Sequence, residues 1–292
     1  MHHALLLFGV LLISFSAIFV RLAQVSPDTS AFFRLVYALP ILFLLWWRRR
    51  DEDQRSSKER WMAFVAGILL GLDLSFWHRA IDMIGAGLST VLGNTQVMFV
   101  GAAAWFLHRE RPSRWAIAMV PVILAGVALI SGLGREDAYG AAPAMGTALG
   151  VLTGITYASF LLVLRGANKS PAPGAAAMLD ATAGASVTCL TIGLIDGHLD
   201  FAFTWPAHGW LLALALGSQV FGWILISNVL PRLPALESSV LLLLQPMFTV
   251  LWGRLLFDEV LSDLQWLGVA LVLGGVGWLS TRGSVASTPE SD

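Results

Sequence analysis

Residues 86–127 read AGLSTVLGNTQVMFVGAAAWFLHRERPSRWAIAMVPVILAGV, and residues 235–276 read ALESSVLLLLQPMFTVLWGRLLFDEVLSDLQWLGVALVLGGV. Slid by 149 positions, the first lies on the second, with Ala86, Ser89, Val91 and Leu92 on Ala235, Ser238, Val240 and Leu241. Gln96, Met98 and Phe99 fall on Gln245, Met247 and Phe248; Glu110 falls on Glu259, Ser113 on Ser262, and Gly126 with Val127 on Gly275 with Val276. Apolar low complexity matches leucines and valines by chance. It does not place a glutamine inside an apolar run, and a glutamate just beyond it, at a single offset. Self-similarity at a long fixed period decides the architecture, and here it marks a duplicated half of about 145 residues. The two copies are 1–132 and 145–281.

Composition sets the solvent. Of 292 residues 57% are hydrophobic and 13% charged, and the mean hydropathy is +0.73. Soluble domains carry about 25% charged residues, so this chain cannot cover a water-facing surface. A net charge of -1, gathered in a few clusters, is no footprint for nucleic acid. A single cysteine, Cys189, excludes an intrachain disulfide. Twelve tryptophans and 28 glycines fit a polytopic helical membrane protein, where Trp collects at interfaces and Gly packs helices.

A transmembrane helix needs about 20 mostly apolar residues. Ten candidates follow: 4–22, 29–47, 61–80, 85–107 and 115–132, then 145–164, 174–195, 208–230, 233–257 and 263–281. The first lacks a basic leader and a small-residue cleavage site and reads as a retained helix rather than a signal peptide. The tail 283–292 is polar and reads as a disordered cytoplasmic end. With the N-terminus inside, thirteen Lys and Arg lie on the inner side and five outside, counting Arg21 and Arg34 as outer, so the topology is N-in, C-in. Five helices per copy is an odd number, so the second copy enters upside down. The fold class is all-α integral membrane, ten helices in two inverted five-helix repeats. Such repeats recur in secondary transporters, with the substrate site near the midplane between copies.

The polar residues inside the apolar runs are the candidate substrate-binding set. Gln96 and Gln245 each lie about 18 Å from their helix ends, at about 1.5 Å per residue, and so approach the midplane from opposite sides. Their uncharged amides suit a zwitterionic or polar ligand, while interhelical packing is the competing role. Asn94, beside Gln96, thickens the belt. Asp73 is the deep carboxylate of the first copy, about 18 Å from the inner surface, and a buried acid is a functional candidate by default. It reads either as a proton carrier or as the counter-charge to a substrate ammonium. Trp77 lies one turn on, His78 sits near the outer mouth, and Tyr157 and Gln219 add polar patches on helices six and eight. Arg21 and Arg34 are expected to snorkel to the outer surface. Pro246 predicts a bend beside Gln245. No metal-ligand spacing, nucleophile motif or phosphate loop occurs, so neither a metal nor a cofactor is expected.

Three stretches resemble the drug/metabolite transporter superfamily, EamA-type: SPDTSAFFRLVYALP at 26–40, FWHRAIDMIGAGLSTVLGNTQVMFVGAAAWFLHRERP at 76–112, and ISNVLPRLPALESSVLLLLQPMFTVLWGRLLFDEVLS at 226–262. The resemblance implies ten helices in a bacterial inner membrane. It implies a central cavity lined by helices three, four, eight and nine with one and six, and peripheral helices five and ten. The chain departs from it in reading Gln96-Val97 where the second copy has Gln245-Pro246, which leaves a symmetric pair of kinks open. The family exports amino acids, other metabolites or drugs. The function expected is therefore export of small polar or amphipathic metabolites by alternating access, above all amino acids, aromatic ones included. A membrane-embedded enzyme acting on lipid-linked substrates is the alternative. The partners expected are a small-molecule substrate and the lipid bilayer, and not nucleic acid; the oligomeric state is open, and a monomer would serve.

Overall fold

The computed structural model describes residues 2–108, 114–130, 138–167, 169–229 and 235–283. Every regular element among them is helical. In chain order these are α1 (His2–Ser14), α2 (Ser16–Ala23), α3 (Pro27–Trp47), α4 (Ser57–Gly93), α5 (Gln96–His108), α6 (Arg114–Ile130) and α7 (Pro143–Ala167). They continue with α8 (Gly174–Asp196), α9 (Ala207–Ala213), α10 (Trp223–Val229), α11 (Ala235–Phe257) and α12 (Asp263–Gly283). Wider π-helical turns, Leu214–Gly222, join α9 to α10. The expectations for the tail 284–292, and for Glu110 and Ser113, fall outside the described residues.

Among the described residues six helices are long and apolar enough to cross a membrane: Ala4–Ala23, Pro27–Trp47, Ser57–Ala103, Pro143–Ala167, Gly174–Asp196 and Ala207–Ile226. Ile117–Ile130 and Asp263–Trp278 are shorter apolar helices. Large apolar side chains such as Phe8, Ile117, Leu124 and Leu255 point outward. Water would not tolerate that surface; acyl chains do. The molecule is a multi-pass membrane protein.

Local chemistry starts and stops these helices. Ser26 caps α3 by accepting from the Thr29 N–H, with Pro27 at the first helical position. Ser56 and Glu59 form a reciprocal capping box on α4. A straight α4 would run about 55 Å at 1.5 Å per residue, far beyond a hydrocarbon core of about 30 Å. Gly85 resolves this. Its φ of 80° and ψ of 173° divide α4 into two helices without any intervening loop, so the two segments expected at 61–80 and 85–107 meet at one residue.

Helices pack through small residues, as they must where lipid and side chains are equally apolar. Gly67 of α4 lies against the Ala181 backbone of α8, and Gly184 of α8 against the Phe64 carbonyl. A central core gathers Ala17, Leu35, Leu70, Trp77, Phe160 and Leu211. A second joins Ile84 and Leu88 to Ile123, Val250 and Val272.

Each end of the bundle is tied by charge. At one end Arg79 bonds Asp28 at 2.7 Å and Asp196 at 2.6 Å, joining α3, α4 and α8. At the other end the connection between α3 and α4 is a built element. Asp53 accepts from Trp46 at 3.0 Å, from Arg55 Nε at 2.9 Å and from Arg60 at 2.9 Å. Arg55 also pairs with Asp180 of α8 at 3.0 Å.

The two copies differ at their central glutamines. α11 runs through Pro246 without a break. The first copy, which lacks that proline, is interrupted instead at Asn94–Thr95, where Thr95 N–H reaches back only to Leu92 and Met98 N–H only to Thr95.

Candidate functional site

The central helices bring a buried polar cluster together. Arg34 of α3 is 4% exposed. It does not snorkel. Its Nη2 donates to Gln219 Oε1 at 3.0 Å, and its Nη1 lies 3.4 Å from His78 Nε2. A guanidinium offers five donors, and the π-helical turns present Gln219 as an acceptor inside the bundle, so the chain solvates the charge itself.

His78 completes the chain. Its Nδ1 sits 2.6 Å from Ser30 Oγ, and that hydroxyl donates its proton to the Pro27 carbonyl at 3.0 Å. Arg34 can only donate, so His78 Nε2 accepts from it, the ring proton sits on Nδ1, and Ser30 Oγ accepts that proton. The Trp77 ring lies beneath Arg34, with Cζ 5.8 Å from the ring centroid, within range of a cation–π contact.

Two groups in this cluster lack partners among the described residues. Arg34 Nε and Gln219 Nε2 are buried donors with no acceptor. Asp73, 6% exposed, makes no hydrogen bond or ion pair to Arg34 or Tyr157, although both lie close enough to feel its charge. Buried polar atoms without partners are rare in folded proteins and call for an explanation. Tyr157 stacks on Phe160 and meets the Trp223 edge.

Of the residues singled out from sequence, the structure brings Trp77, His78 and Gln219 against Arg34, with Asp73 within electrostatic reach of Arg34 and Tyr157 within reach of Asp73. It leaves Asn94, Gln96 and Gln245 elsewhere. The Asn94 amide donates to the Thr90 carbonyl of its own helix at 2.8 Å. Gln96 begins α5, and its amide oxygen is buried without a partner, close to where α4 and α7 meet at Gly154. Gln245 is half-buried.

Sequence reasoning also missed a stacked aromatic series. Phe248, Trp252, Phe15, Phe19 and Trp210 follow one another at centroid spacings of 6.2, 5.0, 5.9 and 6.0 Å, crossing α11, the α1–α2 break, α2 and α9. Only Phe15 and Phe19, four apart, were visible as neighbours in the chain. His208 is a separate structural histidine, bonded to Tyr37 at 2.6 Å and packed by Phe33 and Phe203.

A helical membrane bundle with interrupted helices around buried, partnerless polar groups has the build of a secondary transporter. The EamA-like transporter family model matches residues 2–132 and 144–281. The chain belongs to that family. It is 25% identical over 278 residues to the Bacillus subtilis uncharacterized transporter YwfM, covering 92% of this chain and 90% of that one. An uncharacterized transporter of Archaeoglobus fulgidus is 25% identical over 284 residues, covering 94% and 95%. A shorter stretch of 73 residues is 40% identical to a probable 4-amino-4-deoxy-L-arabinose-phosphoundecaprenol flippase subunit, ArnE, of Pseudomonas fluorescens. It covers 25% of this chain and 61% of that one. A solved structure titled "Crystal structure of protein" superposes with a TM-score of 0.64 at 14% identity, over 98% of this chain and 99% of that one, and shares the fold.

Proposed function

We propose that this EamA-family transporter exports small zwitterionic metabolites, amino acids above all and aromatic ones among them, across a bacterial inner membrane. It works by alternating access between two inverted five-helix halves, with both termini in the cytoplasm. The observation that carries the reading is a pair of buried partnerless donors near a buried carboxylate. Arg34 Nε and Gln219 Nε2 are two donors for a carboxylate, and Asp73 is an acceptor for an ammonium. An amino acid supplies both. The Trp77 ring lies against Arg34, which supports an amphipathic or aromatic side chain. The thirteen-to-five distribution of Lys and Arg supports the orientation.

Proteoliposomes and labelled substrates test it. Arg34→Gln should weaken amino acids and simple carboxylates by about tenfold or more, because a hydrogen bond to a charged group is lost, and spare amines. Asp73→Asn should do the reverse: it weakens amines and amino acids and spares carboxylates. Melting of each variant is measured alongside, since removing one buried charge also destabilises. Equal affinities for acids, amines and amino acids in wild type and both variants would sink the zwitterion reading. Substrate emerging chemically altered would point instead to an enzyme.

A further inference from the structure

Glu259 is a carboxylate built into one end of the bundle, and its surroundings are unusual. It follows Asp258, which takes a left-handed φ of 51°, and it is only 2% exposed. Its Oε1 accepts from Arg21 Nη1 at 2.5 Å and from the Ala86 N–H at 2.8 Å; its Oε2 accepts from the Gly87 N–H at 3.1 Å. Those two N–H groups open the helix that restarts after Gly85. The carboxylate therefore caps a helix N-terminus and satisfies donors no other group reaches, as an anion does best there. A Cβ on Gly85 or on Gly253 would collide with the carboxylate, so the backbone is shaped around it. Arg21 is held from above as well, its Cζ 4.2 Å from the Phe257 ring centroid.

This pair joins three separate parts of the chain. Arg21 comes from α2, the two N–H groups from the second part of α4, and Glu259 from the link between α11 and α12. Arg21 lines two cavities at once. One, about 330 Å³, reaches Gln24, His78, Ile81 and Asp82; the other, about 250 Å³, reaches Gly85, Tyr139 and Gly140. His78, in the first, is bonded to the buried cluster through Arg34.

We propose that the Arg21–Glu259 pair, seated on the Ala86 and Gly87 N–H groups, is the latch that closes the substrate pathway at this end, and that it releases once in each transport cycle. Release exposes His78 and the cluster behind it. On the orientation proposed above, this end is the external mouth. The inference rests on the transport reading only in calling the passage a substrate pathway. The closure itself is measurable without any substrate.

The experiment places a cysteine at Ile81, which is 2% exposed and lines both cavities, in a Cys189→Ala background. Sealed proteoliposomes are treated with a membrane-impermeant maleimide. The latched protein should label slowly. Arg21→Met and Glu259→Gln should each raise the labelling rate about tenfold or more, the shift in open population expected when a charge-assisted hydrogen bond is lost. Glu259→Asp, one methylene short, should raise it as well. If Glu259→Gln fails to fold in detergent, Arg21→Met decides alone, because Arg21 is 29% exposed and its loss leaves the helix cap in place. Unchanged labelling in folded Arg21→Met protein overturns the latch. An absence of amino-acid transport with faster labelling would instead remove the substrate reading and leave the latch standing.

Discussion

At the scale of single residues, the bundle separates polar groups that are fully partnered from those that are not. Gln265 is fully buried and its side chain meets the Tyr139 N–H and carbonyl, the Ser262 N–H and the Ile130 carbonyl; it is structural. Gln96 is the opposite case, with an amide oxygen buried and partnerless. A buried acceptor without a donor costs free energy in the empty protein, and a passing ligand with N–H groups would recover it. Gln96→Ala should therefore leave melting unchanged or raised while slowing transport about fivefold or more. A lower melting temperature with unaltered transport would make the residue packing, and would leave the Arg34 cluster as the whole of the site.

At the scale of elements, the connection between α3 and α4 shows what a short loop can hold. Burial pushes the Asp53 carboxyl up, but hydrogen bonds from Arg55 and Trp46 outweigh it and hold the group well below the ordinary carboxylate range. A folded pKa below the unfolded one contributes stability that is fully present above about pH 4 and is lost as pH falls below that toward the folded value. Detergent-solubilised protein should thus lose melting temperature below about pH 4 faster than Asp53→Asn does. Parallel pH profiles for the two proteins would show that the Asp53 cluster does not staple the α3–α4 connection to α8. Gly85 belongs to the same scale. One residue with a positive φ replaces a loop, creates a fresh helix N-terminus in its place, and so creates the seat that Glu259 occupies.

At the scale of the whole molecule, the bundle has two distinct ends. Arg21, Asp28, Arg79, Tyr139, Asp196 and Glu259 share one; Trp46, Asp53, Arg60, Ser170 and Asp180 share the other. Reporter fusions decide which faces the cytoplasm. Fusions at Gln54 and after Thr281 should read cytoplasmic, and one at Tyr139 external. A cytoplasmic signal at Tyr139 would reverse the latch to the inner mouth and remove the inverted repeat.

The sequence by itself determined the solvent and the helical class, because hydrophobic runs are local, one-dimensional signals, and three of its stretches carried the family resemblance. It also singled out Asp73, Trp77, His78, Tyr157 and Gln219, since a polar residue inside an apolar run is conspicuous wherever it ends up. Only the tertiary structure decided which of them meet. Arg34 looked like a snorkelling residue because its distance from the helix end permits that. The acceptor that keeps it inside, Gln219, lies 185 residues away on another helix. Glu259 was read as a mark of the repeat, and its seat on Ala86 and Gly87 became visible only once Gly85 had broken α4. Long-range pairing of buried charges depends on how helices are turned about their axes, and no periodicity along the chain records that angle.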